Sequence, residues 1–139
     1  MEYTHYFTIK KTPDAATINQ IHKAVMPVLD NYENIIKYEC DSVEGKPVNA
    51  SGIIRFNGIE DDGHETFLVD LNRREFNFCK TARKPYDVPV CTVLAILRVY
   101  LGEDLELSSD GDFNQEWSPI LHSIYVADAL LDKFKSELK

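Results

Sequence analysis

The segment Phe76-Asn77-Phe78-Cys79-Lys80-Thr81-Ala82-Arg83-Lys84-Pro85-Tyr86-Asp87 runs directly into Val88–Leu101, and these two stretches decide the fold. Phe76–Lys80 has the composition of a buried β-strand, and Lys80–Asp87 is a basic loop. Val88–Leu101 is apolar on nearly every side, which predicts a buried helix with Asp87 as its N-cap. A polar loop at the N-terminus of a buried helix is a favourable position for a functional site.

Outward from this segment, hydrophobic periodicity predicts one domain over residues 1–139. The predicted strands are Thr4–Lys10, Ile35–Asp41, Ser51–Asn57, Thr66–Leu71, Phe76–Lys80 and Leu105–Ser109. Other helices are predicted after Thr12-Pro13-Asp14, with Thr12 as N-cap and a weak end at Pro27 to Asn31, and after Ser118-Pro119. The last helix is expected to bury Leu121, Ile124, Ala127, Leu131, Phe134 and Leu138, and Glu44–Pro47 is expected to be a turn. Gly102 is the expected C-terminal stop of the buried helix.

The order β-α-β-β-β-β-α-β-α predicts an α+β fold. We expect a mainly antiparallel sheet with helices packed on one face. One β-α-β crossover, from the fifth strand to the sixth, is expected to pass around the buried central helix.

Composition excludes several classes of protein. The net charge of −8 argues against direct binding of nucleic acid, which requires an excess of Lys and Arg. Val88–Leu101 is shorter than the roughly 20 residues that span a membrane and contains Arg98. The first residues lack the pattern of a signal peptide. We therefore expect a cytoplasmic protein without a membrane segment.

The cysteines and the acidic loops predict no metal and no cofactor. Cys40, Cys79 and Cys91 lack the C-x-x-C spacing of zinc sites and do not suggest a disulfide framework. Asp110–Asn114 begins like a calcium loop, but Gln115 stands where that loop requires glycine.

Three polar loops are expected to meet at one end of the sheet. Short connections make the third, fourth and fifth strands a meander, so the third and fifth run in the same direction. The crossover makes the sixth strand parallel to the fifth. The loops 57–65, 80–87 and 108–112 then leave the sheet at the same end, where ligand crevices are common.

Phrases in these loops resemble a family of short uncharacterised proteins of phages, prophages and bacteria. They are Phe56-Asn57-Gly58 with Asp62-Gly63-His64-Glu65-Thr66-Phe67, then Phe78-Cys79-Lys80-Thr81-Ala82-Arg83-Lys84-Pro85-Tyr86-Asp87, then Ser108-Ser109-Asp110-Gly111-Asp112. The similarity covers roughly residues 53–112, and its middle phrase is the most specific. The resemblance implies a phage or mobile-element setting and carries no activity with it.

The first functional hypothesis is a protein that binds a small anionic molecule, such as a nucleotide, at this edge. Lys80, Arg83 and Lys84 concentrate positive charge near a helix N-terminus. The predicted ligand-binding residues are Asn57, Asp62, His64, Lys80, Thr81, Arg83, Lys84, Tyr86 and Asp110. Tyr86 and Trp117 would either stack on a base or ring of the ligand or act as packing anchors. The three cations would alternatively form ion pairs with Asp61, Asp62, Asp110 and Asp112. The ligand hypothesis predicts that Arg83→Ala is neutral or slightly stabilising.

Two further hypotheses remain open. An acidic interaction protein would bind a basic host protein and inhibit a defence or nucleic-acid enzyme, as anti-CRISPR proteins do. Its acidic surface would comprise Glu60, Asp61, Asp62, Glu103, Asp104, Glu106, Asp110, Asp112 and Glu116. A small hydrolase would use His64 and Glu65 as an acid–base pair, or Cys79 with His64 as a nucleophile dyad. A binding protein is favoured over an enzyme.

Overall fold

The secondary-structure elements follow the predicted order in a computed structural model, which describes residues 3–37, 52–124, 132 and 134–136. The strands are β1 (Thr4–Ile9), β2 (Ile36–Lys37), β3 (Ile53–Gly58), β4 (Phe67–Asp70), β5 (Phe76–Lys80) and β6 (Leu105–Ser109). The helices are α1 (Ala15–Asn31), α2 (Asp87–Leu101) and α3 (Ser118–Ser123), and a π-helical turn (Phe113–Trp117) leads into α3. The predicted α+β class is confirmed.

Helix α2 is the buried centre of the fold, as its sequence predicts. Every side chain from Pro89 to Arg98 is buried, and α2 packs against α1, α3 and β6. The helix ends at Gly102, whose φ of 56° lies in the region that glycine adopts without a steric penalty. The Arg98 guanidinium donates through Nη1 to the carbonyl oxygens of Gly102 and Leu105, so it fixes the connection from α2 to β6.

Two small antiparallel sheets, β5-β1-β6 and β2-β3-β4, replace the single predicted sheet. Strand β1 lies between β5 and β6 and is antiparallel to both, so β5 and β6 run in the same direction as predicted. The predicted meander is correct for β3 and β4 only. The Asp70 carboxylate accepts from Asn72 N (3.0 Å) and closes a turn that ends β4 before it forms a ladder with β5.

Aromatic packing joins the two sheets. The ring of Phe67 on β4 contacts Phe56 on β3 and Phe7 on β1, with centroid separations of 5.2 Å and 5.6 Å. All three rings are buried. Among the described residues, no helix combines the length and apolarity needed to cross a membrane.

Several predicted boundaries shift. Helix α1 is capped by Asp14, whose Oδ1 accepts from Thr17 N at 2.7 Å, and so begins after Asp14 instead of after Thr12. Pro27 lies inside this helix, which continues to Asn31. The predicted end of the second strand, Cys40, the turn Glu44–Pro47 and the core residues Ala127, Leu131 and Leu138 lie outside the described residues.

Candidate functional site at the loop edge

The three loops meet, and the start of β1 lies between them. Glu65 joins the first loop to the second, because its N–H donates to Lys80 O (3.2 Å) and its carboxylate accepts from Lys80 N (2.9 Å). Thr81 N donates to Tyr3 O (3.1 Å). On the other side of β1, Thr4 N donates to the Asp110 carboxylate at 3.0 Å. The predicted convergence is therefore confirmed.

A buried histidine connects these loops beneath the surface. His5 on β1 is fully buried, and its Nε2 lies 2.6 Å from Asp87 Oδ1, in the first turn of α2. Its Nδ1 lies 2.7 Å from Ser109 Oγ at the end of β6. Thr81 Oγ1 donates to the same Asp87 oxygen at 2.6 Å. One imidazole thus bridges the sheet, the basic loop and the central helix.

The partners of Ser109 assign the hydrogen atoms in this network. Ser109 Oγ accepts from Gly111 N (2.8 Å) and from Trp117 Nε1 (3.2 Å), which uses both lone pairs of the hydroxyl. Its hydrogen is therefore donated to His5 Nδ1, and the imidazole hydrogen lies on Nε2 and is donated to Asp87. Because its lone pairs are occupied, Ser109 is not arranged as a nucleophile in this conformation.

Cys91 lies one turn along α2 from Asp87 and completes the cluster. Its Sγ is 3.4 Å from His5 Nε2 and 3.7 Å from Asp87 Oδ2. Burial, together with the negative charge of Asp87, raises the pKa of this thiol well above its ordinary value. Cys91 is therefore a protonated, buried thiol and not an accessible thiolate nucleophile.

Aromatic rings and one ion pair cover the network. Tyr3 and Trp117 approach His5 edge to face, with ring centroids 5.1 Å and 5.4 Å away. The Arg83 guanidinium lies 4.1 Å from the centroid of Tyr3, and its Nη1 donates to Glu116 Oε2 at 2.7 Å. The buried Tyr3 hydroxyl has no hydrogen-bond partner within the described part of the chain, and burial and the nearby Glu116 carboxylate raise its pKa.

The basic loop is built into this cover. Ala82 and Arg83 both adopt left-handed backbone conformations, with φ of 53° and 57°. Neither is glycine, so the loop stores strain that its surroundings must offset. The acid that pairs with Arg83 is Glu116, which is none of the four partners expected from the sequence.

The structure assigns structural roles to several predicted ligand contacts. Asn57 closes the first loop, because its Oδ1 accepts from Gly58 N and His64 N and its Nδ2 donates to His64 O. Tyr86 is fully buried and donates its hydroxyl to Glu65 O at 2.6 Å, so its ring is a packing anchor and has no open face for stacking. The Glu65 carboxylate is likewise engaged, by Lys80 N.

The remaining predicted residues lie around the edge. Asp62, His64, Arg83 and Asp110 are exposed, and Lys80 and Lys84 are half-buried. Lys80 Nζ lies 5.7 Å from the ring centroid of Phe78. Thr81 is buried, and its hydroxyl donates to the Asp87 carboxylate. Asp87 does not cap α2 as predicted: Tyr86 is the residue at the cap, and the Asp87 carboxylate turns toward His5 instead.

Sequence reasoning missed His5, Ser109 and Cys91. His5 shares the alternating face of β1 with Phe7 and Ile9, and both of these are buried. A histidine on the apolar face of a strand must find hydrogen-bond partners inside the protein. That pattern was the available signal for a buried polar network.

The outer face of the β5-β1-β6 sheet forms a second feature, which we call the aromatic face: Tyr6, Phe76 and Phe78. Tyr6 stacks on Phe76 with centroids 6.4 Å apart, and Phe76 lies 6.1 Å from Phe78. Phe76 is 59% exposed and Phe78 is 41% exposed. Tyr6 and Phe76 line a groove of about 260 Å³ together with Glu106 on β6.

Comparisons with protein-family models, with curated proteins and with solved structures found no match for this chain.

Proposed function

We propose that this chain is a non-enzymatic interaction protein that binds a basic protein partner through the aromatic face. The observation that carries the proposal is the cluster of neighbouring rings on this face, where Tyr6 is half-buried and Phe76 and Phe78 are exposed. Neighbouring exposed aromatic rings are unfavourable in water and are enriched at binding hot spots. If these rings served only to stabilise the fold, they would be buried, as Phe56 and Phe67 are.

The charge around the aromatic face supports a basic partner. Glu106 lines its groove, and an adjoining depression of about 410 Å³ is lined by Glu103 and Glu106 together with Lys10 and the buried Arg98. The Lys10–Glu106 ion pair is long (3.7 Å) and exposed, so it costs little to replace. With a net charge of −8, the chain attracts a partner that carries Lys and Arg beside an apolar surface.

The resemblance to phage and prophage proteins favours a host defence enzyme or nucleic-acid enzyme as this partner. Such enzymes carry basic grooves for nucleic acid. An acidic protein with an apolar hot spot would compete for such a groove. The aromatic contact would hold the complex, and the charges would accelerate association.

Affinity capture with matched variants tests the proposal. The wild-type protein, the double variant Phe76→Ser/Phe78→Ser and the control Tyr100→Ser are immobilised in bacterial lysate, and captured proteins are identified and purified. Tyr100 is 40% exposed on α2, close to the exposure of Phe78, so it controls for the loss of any exposed ring. We expect one protein to bind wild type and Tyr100→Ser and to lose at least 10-fold in affinity for the double variant. Equal binding by all three would refute the proposal.

Anionic-ligand binding at the loop edge is the second candidate, and the strained basic loop favours it. Strain of the kind seen at Ala82 and Arg83 clusters at functional sites. Any anion must displace Glu116 from Arg83, because the two form an ion pair at 2.7 Å. Thermal-shift measurements with nucleotides and cyclic nucleotides therefore include Glu116→Gln, which releases the guanidinium. A larger ligand-induced shift in this variant supports the site, and no shift in either protein removes it.

The hydrolase hypothesis now depends on His64, since Lys80 N engages the Glu65 carboxylate and Cys79 is fully buried. Activity screening with His64→Ala tests it, because removal of a general base costs about 10²–10⁴-fold in rate.

A further inference from the structure

Three side chains of the types that ligate zinc lie together under the loop edge. His5 Nε2, an Asp87 carboxylate oxygen and Cys91 Sγ all lie within 4.8 Å of one another. We propose that they form a binding site for a divalent transition metal, with Zn²⁺ the best fit. Imidazole and thiolate select zinc over magnesium and calcium, and a carboxylate is a common third ligand.

The distances suit a tetrahedral ion. Zinc bond lengths of about 2.0–2.3 Å place tetrahedral ligand atoms about 3.4–3.6 Å apart. Cys91 Sγ lies 3.4 Å from His5 Nε2 and 3.7 Å from Asp87 Oδ2, which matches this range. His5 Nε2 and Asp87 Oδ1 are 2.6 Å apart because they share a hydrogen. Replacing that hydrogen with a metal ion would increase the distance between these two atoms by about 0.8 Å.

The backbone holds the ligands in a suitable arrangement. Asp87 and Cys91 are four residues apart on α2, so they lie on one face of the helix. His5 comes from β1, the central strand of its sheet. The Asp87 carboxylate accepts a hydrogen bond from Thr81 Oγ1, and Nδ1 of His5 is hydrogen-bonded to Ser109 Oγ. Outer-shell hydrogen bonds of this kind orient metal ligands in known sites.

The metal-bound site would carry no net charge. The metal takes the place of the hydrogen on His5 Nε2 and of the thiol hydrogen of Cys91. The imidazole keeps one hydrogen, now on Nδ1 and facing Ser109 Oγ, so one proton is released for each ion bound. Ser109 Oγ already accepts from Gly111 N (2.8 Å) and Trp117 Nε1 (3.2 Å), so to accept from His5 Nδ1 it must give up the longer of these two hydrogen bonds. One thiolate and one carboxylate balance the charge of the ion, which reduces the cost of burying it.

The three ligands leave one tetrahedral position. In zinc enzymes that position holds water or substrate, whereas structural sites fill it with a fourth protein ligand. The site is not apparent from the sequence, because 86 positions separate His5 from Cys91 and no short motif links them.

Cobalt substitution tests the site on the full chain. The chelator-treated protein is titrated with Co²⁺, whose tetrahedral thiolate complexes absorb in both the near-ultraviolet and the visible region, and Zn²⁺ is then used to displace it. We expect one Co²⁺ per chain and a sulfur-to-cobalt band that Cys91→Ala abolishes. Cys79→Ala and Cys40→Ala should keep the band. A band that survives in Cys91→Ala, or wild-type protein without stoichiometric binding, overturns the proposal.

Graded variants cover the case in which Cys91→Ala fails to fold. Thr81→Val removes the hydroxyl that orients Asp87 and leaves all three ligands in place. We expect it to weaken Zn²⁺ binding by about 10–100-fold in chelator competition while keeping the one-sulfur cobalt spectrum. His64→Ala, at an exposed histidine, should leave affinity unchanged. If Thr81→Val binds Zn²⁺ as tightly as wild type and His64→Ala do, the ion is held elsewhere.

Discussion

Replacing Asp87 in metal-free protein should destabilise the fold strongly, because two buried donors depend on one carboxylate oxygen. His5 Nε2–H and Thr81 O–H both donate to Asp87 Oδ1 at 2.6 Å. Asparagine keeps the shape and accepts the same two hydrogen bonds without charge. The loss per bond is then the difference between a charge-assisted and a neutral hydrogen bond, about 1 kcal/mol. The favourable charge at the N-terminus of α2 adds about 0.3–1 kcal/mol.

We therefore expect Asp87→Asn to lower the free energy of unfolding by about 2–3 kcal/mol. Asp87→Ala should cost about 3–6 kcal/mol, because it leaves the donors of His5 and Thr81 without partners. Urea unfolding with a chelator present, followed by circular dichroism, measures both values at an unchanged m-value. Asp61→Asn, at an exposed acid, should change stability by less than about 0.5 kcal/mol.

A double-mutant cycle with Thr81→Val identifies the mechanism. This substitution should cost about 1–2 kcal/mol in wild type and little in the Asp87→Ala background, because the shared hydrogen bond is already lost. A loss below about 1 kcal/mol for Asp87→Ala, or additive effects in the cycle, would refute the assignment of the network.

Four further predictions concern the cover of the network and the buried thiol of Cys79. Gly111→Ala should lose about 2–4 kcal/mol, because the added Cβ would overlap the Tyr3 hydroxyl, and Tyr3→Phe should recover part of that loss in urea unfolding. Tyr3→Phe alone should be neutral or stabilising, since no described residue forms a hydrogen bond with the hydroxyl. Arg83→Ala should lose about 1 kcal/mol in thermal melts, from its exposed ion pair with Glu116 and its contact with the Tyr3 ring, and Glu116→Gln should lose less. Burial raises the pKa of Cys79 from 9.0 to about 12, so the unfolded chain releases this proton at lower pH than the folded protein. The contribution of the Cys79 thiol to the free energy of unfolding should thus be fully present below pH 9.0. It should fall between pH 9.0 and about 12, by at most about 1.4 kcal/mol per pH unit, and Cys79→Ala should flatten this decline.

The structure changes the expected effect of Arg83→Ala on stability. Three cations within five residues exceed what one acidic edge needs for pairing, and this led to the prediction of a neutral or slightly stabilising Arg83→Ala variant. The π-helical turn before α3 brings Glu116 to the guanidinium from 33 residues away. That turn depends on tertiary packing, and no periodic pattern announces it.

Element order and loop convergence were predictable because they follow from local periodicity and from chain direction. β5, α2 and β6 match the predicted ranges, since strong alternation or continuous apolarity marks them. Whether a polar loop residue binds a ligand or binds its own backbone was not predictable. Asn57, Glu65 and Tyr86 have the side chains of a binding site, but here they accept from or donate to neighbouring loops.

The buried network was harder to predict, because its members are far apart in sequence. His5 and Ser109 are separated by 104 positions, and only the pairing of β1 with β6 brings them together. That pairing puts the strand nearest the N-terminus in the middle of a sheet. Strand order of this kind is not encoded in the pattern of any single segment.

The central position of β1 also constrains how the protein is made. Its neighbours β5 and β6 lie at residues 76–80 and 105–109, so the sheet cannot be completed until Ser109 has left the ribosome. At about 5–20 residues per second, β1 waits on the order of 5–20 seconds for its second partner. During that interval its alternating Phe7 and Ile9 are available to chaperones or to other nascent chains. Slowed translation before residue 105 should therefore lower the soluble yield more than the same delay placed after residue 109.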